Sequence, residues 1–207
     1  MKTVWSNKRF LDTLNVKVDE TAVEGGTLLL FSSGSSDDTA EVYLKEGDIS
    51  HVVFSGWGGR RNRTVIRKGD ARKVVVGENN WERDVVHYLA PGGPASMMRL
   101  GITHHRGLAT WSSLPHSFEE KENLEPGFEE VFFHILSGGL KGNEPVAWQR
   151  GKGLWHDGTP VDAMWRVMNH TFSTIPMGYH PVVGEPGVHV SYVWVYLAKH
   201  ARWEKIK

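Results

Sequence analysis

Cysteine is absent from the chain, which excludes disulfides, zinc-thiolate sites and thiol nucleophiles together. Histidine and the carboxylates remain as the only strong metal ligands, and there are 11 histidines. No sign of charge predominates, since Lys plus Arg and Asp plus Glu both number 24. With no net basic field to hold a phosphate backbone, nucleic acid is not an expected partner. No apolar run approaches bilayer length, and the opening Met1-Lys-Thr-Val-Trp-Ser has no signal-peptide stretch. The expectation is a cytoplasmic protein without a membrane contact. Long helical periodicity is scarce too, because 23 glycines and 9 prolines interrupt most windows that would show it.

What recurs instead is short apolar or alternating runs bounded by turn residues. They read as strands at Thr27 to Phe31, Glu41 to Leu44, His51 to Phe54, Arg63 to Ile66, Lys73 to Val76, Asp84 to Leu89 and Met97 to Thr103. Further strands follow at Glu129 to Ile135, Val146 to Gln149, Met164 to Val167, Phe172 to Ile175 and Val188 to Leu197. The spacing suits an all-β barrel or sandwich. Helix candidates are limited to Asn7 to Leu14 and a turn at Phe118 to Asn123, and Ser32 to Asp38 reads as an exposed loop. A boundary near Gly69-Asp70 separates a polar, short-stranded region, residues 1–70, from residues 71–207, which carry longer aromatic strands and most of the histidines.

Three candidate ligands stand where a β fold could gather them: His116, Glu130 and His180. Alternation puts Glu130, Phe132 and His134 on one side of their strand and Glu129, Val131 and Phe133 on the other. Two imidazoles and a carboxylate make an open N/O site suited to zinc, manganese, iron or nickel. The alternative reading of the same residues is two loop histidines bonded to backbone and an exposed strand carboxylate.

The wording around these residues resembles a known family. Trp111-Ser-Ser-Leu-Pro-His116-Ser-Phe-Glu-Glu and Gly127-Phe-Glu-Glu130-Val-Phe-Phe look like the metal-binding stretch of the 5-deoxy-glucuronate isomerases. Gly77-Glu78 to Arg83, Trp148-Gln149-Arg150, Gly178-Tyr-His180-Pro and Arg202-Trp203 follow that family's order, so the resemblance covers about residues 71 to 207. The 5-keto-4-deoxyuronate isomerases are similar but match less closely. The resemblance implies a cupin jelly-roll barrel with a reduced N-terminal β region, a degenerate bicupin, in which His116, Glu130 and His180 bind a divalent metal. It also implies an aldose-ketose isomerase of a deoxyuronate or related sugar acid, from inositol or uronate breakdown. Two departures stand out. Phe118 occupies the second histidine position of the family's first metal motif, so Glu119, Glu122, His104, His105 or His134 becomes a candidate fourth ligand, and the first 70 residues match nothing in the family's first half.

Such an isomerase removes a proton from C2 and returns one to C1 while a metal offsets the charge on the two oxygens. His134 and Tyr179 are the candidate shuttles, with a metal-bound hydroxide as the remaining option. Gln149 and Arg150 are candidate substrate contacts, the guanidinium matching a sugar-acid carboxylate. The aromatic residues of Val188 to Leu197 read as core, since Val188, Val190, Tyr192, Trp194 and Tyr196 share one face and His189, Ser191, Val193, Val195 and Leu197 the other. The basic clusters near Arg60 and Lys68 read as solvated loops. Two other functions fit the pattern: a non-catalytic sugar-binding or assembly cupin, in which Phe118 marks a lost site, and an iron-dependent cupin oxygenase. Many strand edges to protect point to a homo-oligomer.

Overall fold

The computed structural model describes residues 3–9, 16–34, 36–56, 63–95, 97–111, 130–155 and 157–197. Sixteen strands carry the described chain. They are β1 (Trp5–Asn7), β2 (Val16–Val23), β3 (Gly26–Ser33), β4 (Thr39–Lys45), β5 (Asp48–Ser55), β6 (Arg63–Arg67), β7 (Arg72–Val76) and β8 (Arg83–Leu89). The series continues with β9 (Met98–Leu108), β10 (Glu130–Gly138), β11 (Val146–Leu154), β12 (Pro160–Met168), β13 (Thr171–Ile175), β14 (Met177–Tyr179), β15 (Val182–Gly184) and β16 (Val188–Leu197). The only helical turns among the described residues are two short 3-10 segments, Lys68–Asp70 and Asn79–Trp81. No helix among the described residues is long and apolar enough to cross a membrane.

The strands form three layers. A seven-stranded sheet in the order β1-β13-β10-β16-β9-β8-β7 lies in the middle, with a four-stranded sheet of β12, β11, β14 and β15 on one side. On the other side lies a five-stranded meander in the order β2-β3-β4-β5-β6. Two apolar cores show which faces meet. Phe132, Leu136, Val188, Val190, Tyr192 and Trp194 of the central sheet pack with Ala147, Val167 and Val182 of the four-stranded sheet. Val131, Phe133, Ile135, Val193, Val195, Leu100 and Ile102, from the opposite face, pack with Leu29, Phe31, Val42, Ile49, Val52 and Phe54 of the meander. The central and four-stranded sheets make the cupin jelly roll, as two facing sheets rather than one continuous hydrogen-bonded cylinder.

Because both faces of the central sheet are covered, its inner strands β13, β10 and β16 and the first half of β9 are buried on both sides, whereas the edge strand β7 is largely exposed. In β16 the two alternating faces meet different partners: Val188, Val190, Tyr192 and Trp194 face the four-stranded sheet, Val193, Val195 and Leu197 the meander. The chain leaves the meander at the 3-10 turn Lys68–Asp70 and enters the central sheet with β7, while β1 joins that sheet from the far end of the sequence by parallel pairing with β13. The segment expected to be helical from Asn7 begins at the end of β1, and from residue 10 it lies outside the described residues, as does Phe118 to Asn123. The loop expected to be exposed over Ser32 to Asp38 ends on a buried carboxylate. Asp38 is 2% exposed, and its Oδ2 accepts the backbone N–H groups of Met97 and Met98 at 3.0 and 2.9 Å.

Candidate active site in the jelly roll

Glu130 opens β10, and alternation directs Glu130, Phe132 and His134 into the space between the central and four-stranded sheets. His180 comes from the corner between β14 and β15. Two features hold that corner. Gly178 has φ +106°, a conformation open to glycine, and a Cβ there would lie 2.6 Å from the carbonyl oxygen of Lys152, so β14 approaches β11 more closely than a side chain permits. From β11, the Gln149 amide Nε2 donates to the carbonyl oxygens of His180 at 2.6 Å and Pro181 at 3.2 Å. The outcome is that His180 Nε2 stands 3.6 Å from Glu130 Oε2, with side chains only 3% and 8% exposed.

The same inner face carries other polar groups. Tyr196 lies directly opposite Glu130, and Arg99 directly opposite Tyr196, forming one cross-strand row over β10, β16 and β9. Burial, and then the Glu130 carboxylate, push the Tyr196 hydroxyl pKa up. Burial lowers that of the Arg99 guanidinium, with Tyr196 and Asp38 acting in the opposite sense. Arg99 is 1% exposed, and its Nη1 donates to the carbonyls of Ala95 and Met98 at 3.2 and 3.0 Å. Arg99 was legible in principle, as the single charge in the run Met97 to Ile102, but its side could not be chosen from that run.

His134 is fully buried, with Nε2 3.1 Å from Ser173 Oγ and Nδ1 without a hydrogen-bond partner among the described residues. Burial depresses its pKa to about 3, so the ring is neutral at pH 7. Phe132 comes between Glu130 and His134 along this face of β10, its ring centroid 6.1 Å from that of His134 and 5.9 Å from that of His180. His105 is buried on this inner face as well, with Nδ1 3.0 Å from the Thr110 carbonyl. Burial lowers its pKa to about 4 against the opposing effect of that bond.

Other sequence candidates lie elsewhere. His104 projects toward the meander, where Nδ1 is 2.8 Å from Ser191 Oγ and Nε2 3.3 Å from Asp48 Oδ1. Arg150 is on the opposite side of β11 from Gln149, bonded to Asp162 and to the Ala163 carbonyl at 2.8 Å. Tyr179 pairs with Lys152 across β14 and β11, which places it on the outward face with Arg150. His116, Phe118, Glu119 and Glu122 lie outside the described residues. Among the described residues, no three histidine or carboxylate side chains are gathered as a metal cluster.

A model of the KduI/IolB family matches residues 30–207, so the likeness begins well before the expected start at about residue 71 and takes in most of the meander. The chain belongs to that family. Its similarity to curated family proteins is modest: 29% identity over 118 residues to a 5-deoxy-glucuronate isomerase of Bacillus subtilis subsp. natto, covering 56% of this chain and 41% of the relative. A 5-deoxy-glucuronate isomerase of Geobacillus kaustophilus is 29% identical over 133 residues, covering 63% and 45%. The chain thus spans less than half the length of the curated relatives it matches. An IolB-like protein from Salmonella typhimurium LT2 shares the fold, with a TM-score of 0.57 at 17% identity over 92% of this chain and 76% of that one.

Proposed function

We propose that this member of the KduI/IolB family is a metal-dependent aldose-ketose isomerase of a deoxyuronate or related sugar acid, with the metal held by His116, Glu130 and His180. The observation that carries the reading is the buried Glu130–His180 pair, 3.6 Å apart between the two sheets of the jelly roll. Two donors at bond lengths of ~2.1 Å around one tetrahedral ion stand ~3.4 Å apart, so the carboxylate and imidazole fit a shared divalent metal. Their N/O chemistry suits zinc, manganese, iron or nickel. A divalent metal supplies positive charge that offsets the negative charge developing across C1 and C2.

The chain's own residues complete the environment. Phe132, Tyr192 and Trp194 belong to the apolar core between the two sheets, and the Phe132 ring lies 5.9 Å from that of His180. Arg99, in the row of Glu130 and Tyr196, adds a buried positive charge to the same face. Proton transfer by His134 or Tyr179 finds less support in their positions, because Phe132 separates the first from Glu130 along β10 and the second is on the outward face. His134→Gln and Tyr179→Phe should therefore keep kcat within about tenfold of wild type. A loss on the scale of general-base removal, about 10² to 10⁴, would restore the affected residue to the proton path. Among the described residues β7 ends the central sheet, and its outer edge supports homo-oligomers formed through strand edges.

The test is elemental analysis and isomerase assay on sugar acids with wild type and the His116→Ala, Glu130→Ala and His180→Ala variants. Near-stoichiometric metal and activity in wild type, lost in all three variants, support the reading. A wild type without metal after incubation with Mn, Fe, Zn and Ni overturns it. That result would favour the sugar-binding or assembly cupin suggested by Phe118, whereas strict dependence on Fe(II) and oxygen would indicate an oxygenase.

A further inference from the structure

We infer that Gln149 is a positioning residue for His180 rather than a contact for substrate. The inference rests on the reading of His180 as a metal ligand. Gln149 is 0% exposed, so its amide is not offered to solvent. Its Nε2 is committed to three backbone carbonyls, His180 at 2.6 Å, Arg150 at 3.1 Å and Pro181 at 3.2 Å. The first and third belong to the corner that presents His180, and they accept from the amide together.

β14 and β15 are 3 residues each, too short to fix the direction of the residues between them by ladder bonds alone. The Arg150 backbone N–H also ties the corner to β11, donating to the Pro181 carbonyl at 2.8 Å. Gln149 adds the bond to the carbonyl of His180 itself. Rotation of the peptide plane at His180 would turn the ring away from Glu130, and the Gln149 amide opposes that rotation from beneath. The Gln149 Oε1 is buried without a hydrogen-bond partner among the described residues. Leaving a buried acceptor unmatched carries a cost, and the orientation is kept because the reverse one would set Oε1 against three carbonyl oxygens.

The experiment is titration of the metal-free full chain with Co(II), read by its visible d–d absorption, for wild type, Gln149→Met and Val167→Ala, with thermal unfolding of each metal-free protein. Val167 is a buried core residue on β12, paired with Ala147 of β11, and serves as a variant that loosens packing without removing a hydrogen bond at the corner. Gln149→Met should bind Co(II) about ten- to a hundredfold more weakly, the scale of outer-sphere support, with altered d–d bands. Val167→Ala should melt lower and keep the wild-type affinity and spectrum. If Gln149→Met does not fold, Gln149→Asn, whose amide falls one carbon short of both carbonyls, carries the same comparison. Wild-type affinity and spectrum in the Gln149 variant overturn the positioning role while the metal reading stands. Absence of Co(II) binding by wild type overturns the metal reading and the positioning role with it.

Discussion

His134 and His105 are imidazoles held in the neutral form by burial, with pKa values of about 3 and about 4. In the unfolded chain both titrate near 6.5, so the unfolded state binds more protons below that value. A folded pKa set below the unfolded one gives stability that is complete above pH 6.5 and is lost as pH falls toward the folded value. The loss by pH 5 is about 2 kcal/mol for each ring. Urea unfolding at pH 7.5 and pH 5 should show it, and His134→Gln should remove roughly half; an unchanged pH dependence in that variant would mean the ring is charged in the folded protein. Arg150 is a contrasting case, since it pairs with Asp162 at the surface. Such pairs contribute about 0 to 1 kcal/mol, so Arg150→Ala should barely move the melting temperature and leave KM within about twofold. A tenfold rise in KM would place its guanidinium on the substrate.

Elements in this protein lie close enough that single glycines decide whether they fit. Gly101 of β9 lies beneath the Trp194 ring of β16, and a Cβ there would come within 2.3 Å of both that ring and the Val86 carbonyl. Backbone cannot yield as a flexible side chain does, so Gly101→Val should cost about 3 kcal/mol or more. Trp194 would be displaced, and the near-UV circular dichroism should change with the melting temperature. A variant that melts as wild type would show that β9 and β16 can separate. The meander is fastened to the central sheet by a polar contact besides its core, between Asp48 at the start of β5 and His104 on β9. Burial alone would raise the Asp48 pKa, but hydrogen bonds from His104 and Lys68 outweigh it and hold the carboxyl well below its usual range. A depressed folded pKa stabilises above about 3.8 and the benefit fades as pH falls further, so this link weakens only in stronger acid than the histidines require.

For the whole molecule, the meander covers the face of the central sheet turned away from Glu130 and His180. Leu100, Ile102, Val131, Phe133, Val193 and Val195 are buried against it, and uncovered they would form an apolar patch of the kind that drives association. A chain starting at residue 71 also loses β1, which pairs with β13. It should form higher-order aggregates by size exclusion with light scattering. A folded monomer of residues 71–207 that binds metal would show that the meander is dispensable for the site.

The strand pattern was legible because alternation records which positions are buried. Val188 to Leu197 displays two apolar faces, and each found its own core. Four strands were not legible: β1, β14 and β15 have too few residues to show a period, and β2, Val-Lys-Val-Asp-Glu-Thr-Ala-Val, breaks its alternation at a buried carboxylate, Glu20. The residue types of the candidate site were also legible, since without cysteine only histidine and carboxylate can ligate, and Glu130, Phe132 and His134 share a face by parity alone. Parity does not say which face of a doubly covered sheet holds chemistry. Only tertiary packing brought His180 to Glu130 across 50 residues, turned Gln149 inward beneath it while Arg150 met Asp162 outside, and set the Phe132 ring 5.9 Å from that of His180. Long-range approach depends on how layers stack, and stacking is decided by all the buried faces together.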